Sequence, residues 1–149
     1  MVSSPTRPSL WRCQRRGRGS DASPPVPRPL SGRRWLAARA GRPVYEIGRA
    51  IDSEVRRQGF RVLRELHGHG VGRAIHEPPS VPQYENRQMA DVLTDGMVLT
   101  IEPIIAIGTA RVVQDPDGWT LRTADGQPSA HFEHTIVITQ GRPSVLTAN

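Results

Sequence analysis

The most informative stretch of this 149-residue chain reads His67-Gly68-His69-Gly70-Val71-Gly72-Arg73-Ala74-Ile75-His76-Glu77-Pro78-Pro79. It contains three of the five histidines of the chain, interleaved with glycine. Alternate side chains of an extended segment share a face, so His67 and His69 are predicted to point the same way, and the glycines let another backbone or a ligand approach closely. Histidine is the commonest metal ligand and titrates near neutral pH. The stretch therefore predicts either a metal or acid–base site or a glycine-rich turn with surface histidines.

The composition describes a loop-rich protein with few cysteines. Hydrophobic residues make up 36% of the chain, which also holds 14 Gly, 14 Pro and the single cysteine Cys13. One cysteine excludes an internal disulfide and a cysteine-based zinc cluster. No apolar run approaches the roughly 20 residues that a membrane span needs, and the N-terminus lacks the apolar centre of a secretory signal. A cytoplasmic protein without membrane contact is expected.

Positive charge is concentrated near the N-terminus. All 20 basic residues are arginines; residues 1–42 hold ten of them and one acid, whereas residues 43–149 hold ten arginines and thirteen acids. We divide the chain into an Arg/Pro/Ser-rich segment, residues 1–36, and a folded domain, residues 37–149. The segment has neither a helical nor a strand period and is predicted to be disordered. Its origin is open between a nucleic-acid-binding tail, a targeting segment, and the favoured interpretation, a mis-started or frame-shifted reading of a high-GC gene.

Periodicity predicts one helix followed by several strands. Four apolar residues recur at helical spacing: Val44, Ile47, Ile51 and Val55. Residues 43–59 are therefore predicted to form an amphipathic helix that ends at Gly59. Strands are predicted at 60–66, 97–101, from 112, at 119–123 and at 132–139, with turns at 115–118 and 125–126. Residues 104–107 continue the apolar pattern. Pro78, Pro79 and Pro82 predict an irregular loop. The fold class is α/β (α+β).

Two carboxylates lie next to apolar strands. Glu102 follows the apolar run 97–101, and Glu133 lies at the start of the apolar run that continues to residue 138. A carboxylate in such surroundings is costly unless it is paired, hydrogen-bonded or metal-bound, the alternative being an outward-facing side chain on a half-solvated strand. With His69 the two carboxylates form a donor set suited to Mn, Co, Fe or Zn. A carboxylate shared by two ions would permit two-metal hydrolysis.

Five segments now make the sequence recognisable. They are Gly41-Arg42-Pro43-Val44, His69-Gly70-Val71-Gly72-Arg73 through His76-Glu77, Thr100-Ile101-Glu102-Pro103, Asp117-Gly118-Trp119-Thr120 and Ser129-Ala130-His131-Phe132-Glu133-His134-Thr135. In order and spacing they closely resemble the C-terminal part of type I methionine aminopeptidases, which are metallopeptidases of the pita-bread fold. The resemblance covers residues 37–147. It implies removal of N-terminal methionine from peptides and nascent proteins by metal-activated water.

The resemblance implies a metal role for three side chains. His69, Glu102 and Glu133 look like ligands, with Glu102 near the attacking water as its proton acceptor and Glu133 bridging two ions. His76 looks like the catalytic histidine that contacts the scissile amide and stabilises the tetrahedral intermediate. The implied cofactors are divalent ions of Co, Mn, Fe or Zn, two in the family.

Two further side chains are expected to bind substrate alongside His76. Trp119 looks like a wall of the methionine pocket, and Ile75 stands where the family often has an aromatic residue. The alternative for Trp119 is an ordinary core or loop-anchoring tryptophan.

The chain also departs from the family pattern. The first two ligands of the family are aspartates in the N-terminal half of the fold, whereas only Asp21 precedes the predicted helix here. We therefore expect a truncated protein that holds at most one ion well and has weak or absent activity. His67 and His131 stand where the family often has Cys and Gln. They are interpreted as surface or packing histidines, the alternative being that they add adventitious metal affinity.

Two other functions remain open. One is a non-catalytic remnant or binding module tethered to RNA or the ribosome by the arginine-rich segment. The other is a relative of the Xaa-Pro aminopeptidases. The expected partners are peptide or nascent-protein N-termini near the ribosome, with nucleic acid only if the segment is genuine. A monomer is expected.

Overall fold

The structure is a computed structural model that describes residues 37–147. The predictions for the Arg/Pro/Ser-rich segment lie outside these residues. The elements are α1 (Tyr45–Arg57), β1 (Arg61–Val62), β2 (Gly68–Gly70), β3 (Glu77–Val81), β4 (Val98–Ile101), β5 (Ile104–Ala106), β6 (Val112–Gln114), β7 (Leu121–Thr123), β8 (Ser129–His131), β9 (His134–Val137) and β10 (Ser144–Val145). Across the described range, no helix is both long and apolar enough to cross a membrane.

The strands form three antiparallel sheets. Five strands pair in the order β10-β9-β4-β2-β3, three in the order β1-β5-β8, and β6 pairs with β7 alone. Every described pairing between these strands is antiparallel. The described residues thus combine antiparallel sheets with one helix, α1. Of the two predicted fold classes, α/β and α+β, this arrangement is α+β.

Helix α1 confirms the predicted amphipathic pattern. Its apolar stripe is buried, and the chain leaves the helix through Gly59, whose positive φ of 83° suits a residue without a side chain. The buried face also includes Glu54, which accepts hydrogen bonds from Arg57 and Gln58. The stripe belongs to one core that also contains residues of the two larger sheets and of the connecting segments. Its buried members are Ala38, Val44, Ile47, Ile51, Val55, Phe60, Val62, Val81, Leu93, Leu99, Ile101, Ile105, Ala130, Ile136 and Ile138.

The strand predicted at 60–66 is limited to Arg61–Val62. Those two residues pair with β5, and Leu63 donates one further hydrogen bond to the carbonyl of Ile104 before the chain turns away. The prediction was too long because periodicity does not reveal where the partner strand ends.

The strand predicted at 132–139 is shortened to β9, and strand β8 directly before it was not predicted. β8 pairs with β5, and β9 pairs with β4, with Phe132 and Glu133 between them. One register continues across the break: Ile101 pairs with His134 on one side and Ile104 with His131 on the other. Glu102 and Glu133 consequently lie opposite each other where the two sheets meet.

The irregular loop predicted around Pro78 and Pro79 is wrong, because both residues lie in strand β3. Among the strands of residues 37–147, β3 lies at the edge of the five-stranded sheet and pairs with β2 alone. A proline lacks the N–H that an inner strand needs, but an edge strand tolerates this. The register also shifts between His69 and Gly70, so the two prolines occupy an irregularity in the ladder.

Candidate metal centre

The glycines of β2 allow close approach of the neighbouring strands. A Cβ on Gly68 would collide with the carbonyl oxygen of Thr100, and a Cβ on Gly70 would collide with that of Pro78. The predicted close approach of backbone is therefore confirmed at both positions. It holds His69, the residue between these glycines, against the end of β4.

A buried hydroxyl connects His69 to Glu102. The side chain of Thr100 accepts a hydrogen bond from the backbone N–H of His69 at 3.0 Å and donates one to Oε1 of Glu102 at 2.8 Å. Nε2 of His69 lies 3.4 Å from the same carboxylate oxygen. Thr100 therefore fixes the carboxylate of Glu102 relative to the strand that bears His69.

The tautomer of His69 suits a metal ligand. Its Nδ1 lies 2.9 Å from the carbonyl oxygen of Gly70, and only a protonated ring nitrogen can donate to a carbonyl. In the neutral ring, Nε2 then presents its lone pair towards Glu102. A lone pair and a carboxylate oxygen repel unless a proton or a cation lies between them, and a backbone partner on the other nitrogen is typical of metal-binding histidines.

A second histidine approaches Glu102 from the other side. Nε2 of His131 lies 3.6 Å from Oε2 of Glu102. Ligand atoms of Glu102, His131 and Glu133 all lie within 4.8 Å of one another. His69 is not a member of this group and contacts Glu102 at the opposite oxygen. The structure thus brings together the two predicted carboxylates, but it adds His131, which had been interpreted as a packing residue.

One signal in the sequence could have indicated His131. It precedes Glu133 by two residues, and residues two apart in an extended segment share a face. That spacing alone does not identify a ligand, since the family often has glutamine at this position. Whether the histidine faced solvent or the carboxylates depended on the pairing of β5 with β8, which a single segment does not reveal.

The surroundings of Glu102 favour its ionised form. Burial by itself would raise the pKa of Glu102, but the contacts with His131 and Thr100 and the charge of His69 outweigh burial and lower it. Burial lowers the pKa of His134, which the neighbouring charge of Glu133 offsets only in part, so its neutral form is favoured. The centre therefore offers an ionised carboxylate at neutral pH.

His67 is separated from this centre by its own hydrogen bonds. Its Nδ1 lies 3.0 Å from the hydroxyl oxygen of Ser80, and its Nε2 lies 2.9 Å from the carbonyl oxygen of Arg64. Both ring nitrogens are engaged, so the interpretation of His67 as a packing histidine is confirmed. His67 precedes β2, and it does not share the environment of His69.

The expected substrate residues lie on exposed segments. The ring centroid of His76 is 4.2 Å from that of His69, which brings this histidine beside the centre. Ile75 is 73% exposed and Trp119 is 89% exposed, so a core role for Trp119 is excluded. The turn that carries Trp119 is fixed by Asp117, whose pKa is lowered by hydrogen bonds from the hydroxyl and N–H of Thr120 and the N–H of Trp119. Substrate contact by Ile75 and Trp119 stays a prediction.

An apolar cavity opens beside His131. It has a volume of about 210 Å³. Its walls are Leu63, Leu66, Ile104, Val112, Leu121, Arg122, Thr123, Ser129 and His131. Of the metal-ligating group, His131 lines this cavity.

Comparison with known proteins identifies the family to which this chain belongs. The family model described as metallopeptidase family M24 matches residues 34–140. The chain therefore belongs to metallopeptidase family M24.

Within that family the chain is similar to methionine aminopeptidases. It is 42% identical over 113 residues to the enzyme of Aquifex aeolicus, covering 72% of this chain and 42% of that one. It is 44% identical over 116 residues to the enzyme of Escherichia coli K12, covering 76% of this chain and 44% of that one. The chain thus spans less than half the length of these curated relatives.

Solved structures agree with this comparison. The methionine aminopeptidase of Thermotoga maritima aligns with a TM-score of 0.73 and 41% identity, over 78% of this chain and 47% of that one. The prolidase of Pyrococcus furiosus aligns with a TM-score of 0.54 and 29% identity, over 78% of this chain and 29% of that one. The described residues adopt the C-terminal part of the pita-bread fold, as the resemblance predicted.

Proposed function

We propose that this chain carries the C-terminal part of a methionine aminopeptidase active site, with a divalent cation held by His69, Glu102 and Glu133. The observation that supports it best is the position of two carboxylates opposite each other at a break between sheets, with the ligand atoms of both within 4.8 Å of His131. Like charges directly opposite each other on paired strands are destabilising. A cation between them removes the repulsion.

The donor chemistry fits the implied metal. Imidazole nitrogen and carboxylate oxygen together suit borderline divalent ions, and we propose Co, Mn, Fe or Zn. When bound, such an ion lowers the pKa of a coordinated water and polarises the scissile carbonyl.

Two protein side chains carry out the other steps, which are proton acceptance and stabilisation of the developing charge. Glu102, kept ionised and oriented by Thr100, accepts a proton from the attacking water at its carboxylate. His76, whose ring is tilted against that of His69, contacts the scissile amide and stabilises the charge that develops on its oxygen.

The proposed substrates are peptides and nascent proteins that begin with methionine. The identity to a solved methionine aminopeptidase, 41%, exceeds that to a solved prolidase, 29%, which favours methionine over Xaa-Pro substrates. The cavity of about 210 Å³ beside His131 is largely apolar and suits an unbranched apolar side chain. Action near the ribosome, a cytoplasmic location and a monomeric state are part of the same proposal.

We further propose that these 149 residues alone have weak activity. No pair of aspartates corresponding to the first two ligands of the family stands upstream of His69. At most one ion is then well held, and catalytic metal sites with three protein ligands are common.

The test is release of methionine from Met-Ala-Ser by the purified chain with Mn²⁺ or Co²⁺. We expect slow release that EDTA abolishes and that Glu133→Gln reduces at least tenfold. Glu85→Gln is the matched control, because Glu85 pairs with Arg87 on the surface and lies outside the metal-ligating group. Absence of any metal-dependent release would refute the activity, and turnover near that of a full-length relative would refute the impairment. Cleavage of Ala-Pro peptides in preference would favour the Xaa-Pro alternative.

A further inference from the structure

We propose that His131 is a metal ligand of this chain and binds through Nε2 together with Glu102 and Glu133. The proposal deepens the proposed function, because it concerns the same centre and rests on a cation being bound there. The proposal adds a nitrogen ligand to those that the resemblance to the family implies.

The first argument is an orphaned polar atom. Nε2 of His131 is buried and has no hydrogen-bond partner among the described residues. Leaving a buried polar atom without a partner costs free energy, and such atoms are uncommon in folded proteins. Coordination of a cation would satisfy this atom without any movement of the backbone.

The second argument is the distance between donor atoms. Nitrogen and oxygen ligands lie roughly 2.0 to 2.2 Å from a zinc-like ion, so two ligands of a tetrahedral site are roughly 3.3 to 3.6 Å apart. Nε2 of His131 and Oε2 of Glu102 are 3.6 Å apart. This separation is too long for a good hydrogen bond, whereas it matches the edge of a coordination tetrahedron.

The third argument is how the two oxygens of Glu102 are used. Oε1 accepts the hydrogen bond from Thr100 and faces His69. Oε2 faces Nε2 of His131. Glu133 is the third member of the group. The two carboxylates balance the charge of a divalent cation, and a neutral imidazole adds a donor without changing that balance, which reduces the cost of holding the ion in a partly buried place.

The structure also leaves the histidine accessible to an ion. The side chain of His131 is 23% exposed, and that of Glu102 is 19% exposed. His131 pairs with Ile104 at the end of β8, so its backbone is held by the ladder before a cation arrives. Such preorganisation favours tight binding.

The test is calorimetric titration of the metal-free chain with zinc chloride, repeated for His131→Gln. Glutamine is the residue that the family often has at this position, so the fold should accept the substitution. We expect zinc affinity to fall at least tenfold, which corresponds to about 1.4 kcal/mol. His67→Gln is the matched control, because both nitrogens of His67 are already hydrogen-bonded, and it should leave the affinity unchanged.

A second measurement needs no substitution. Long-range ¹H–¹⁵N spectra of the ¹⁵N-histidine-labelled protein should show the Nε2 resonance of His131 shift on addition of zinc. Equal zinc affinity of His131→Gln and the unsubstituted chain, or an unshifted resonance in the zinc-saturated protein, would overturn the proposal.

The two proposals fail in different ways. If the chain releases methionine with metal but His131→Gln binds zinc as tightly as before, the ligand assignment is wrong and the function stands. If His131→Gln weakens zinc binding but no methionine is released, the ligand stands and the function is wrong. If the unsubstituted chain binds no zinc at millimolar concentration, the ligand assignment is wrong.

Discussion

Replacement of Thr100 by valine tests how far the centre depends on one buried hydroxyl. Valine has nearly the same shape, so the substitution removes the hydroxyl and leaves the packing of β4 in place. Thr100 is 3% exposed, and its hydroxyl joins the N–H of His69 to the carboxylate of Glu102. Both partners lose a hydrogen bond in Thr100→Val.

The expected loss of stability follows from these two contacts. A hydrogen bond to a charged acceptor contributes about 1.5 to 3 kcal/mol, and a buried donor left unsatisfied costs about 1 to 3 kcal/mol. The carboxylate of Glu102 is only 19% exposed, so water replaces the lost donor poorly. We expect the free energy of unfolding to fall by about 3 kcal/mol.

The measurement is urea unfolding of the metal-free chain, followed by circular dichroism. With an m-value of about 1.5 kcal/mol per molar urea, the midpoint should fall by about 2 M. Thr100→Ser is the control, because it keeps the hydroxyl and removes one methyl group. A loss below about 0.5 kcal/mol in Thr100→Val, or an equal loss in both variants, would refute the role of the hydroxyl.

Two other predictions concern the backbone and the pH response. Gly68→Ala should lower the melting temperature by more than 10 °C, because its Cβ collides with the carbonyl of Thr100, whereas Gly141→Ala, with open space around it, should change it little; comparable melting of the two variants would contradict this. Hydrogen bonds from the backbone N–H groups of Thr109 and Gln127 lower the pKa of Asp125. Its contribution is present above the ordinary pKa of aspartate and is lost as pH falls through the lower folded value. Between pH 5 and pH 2 the urea midpoint should therefore fall less in Asp125→Asn than in the unsubstituted chain, and an equal fall would refute the argument.

The parts of the fold that were predictable depend on local sequence. Helix α1 follows from the spacing of its apolar residues, and the turn before Trp119 follows from Asp115-Pro116-Asp117-Gly118, where Gly118 has a positive φ of 76°. Strand β3 was missed because an edge position is what makes Pro78 and Pro79 acceptable there. No local pattern distinguishes an edge from an inner strand, since that depends on which strands pair in the folded chain.

The same distinction between local sequence and strand pairing applies to the residues of the candidate centre. Glu102 and Glu133 were predictable because each lies beside an apolar run, and the family motifs around them are specific. The role of His131 was not predictable in this way. Its orientation depends on the register that pairs it with Ile104, which lies in a distant part of the sequence. A histidine is a ligand only where the fold directs a ring nitrogen at other donors.

The register also supports the proposal that this centre binds a cation. Glu102 and Glu133 are held opposite each other, and protonation of either one would relieve their repulsion. For Glu102 that route is disfavoured at neutral pH, because its contacts with His131, Thr100 and His69 lower its pKa despite burial. Since Glu133 is exposed, solvent weakens the repulsion without removing it. A divalent ion bound as proposed would relieve the repulsion and satisfy the buried nitrogen of His131 in the same step.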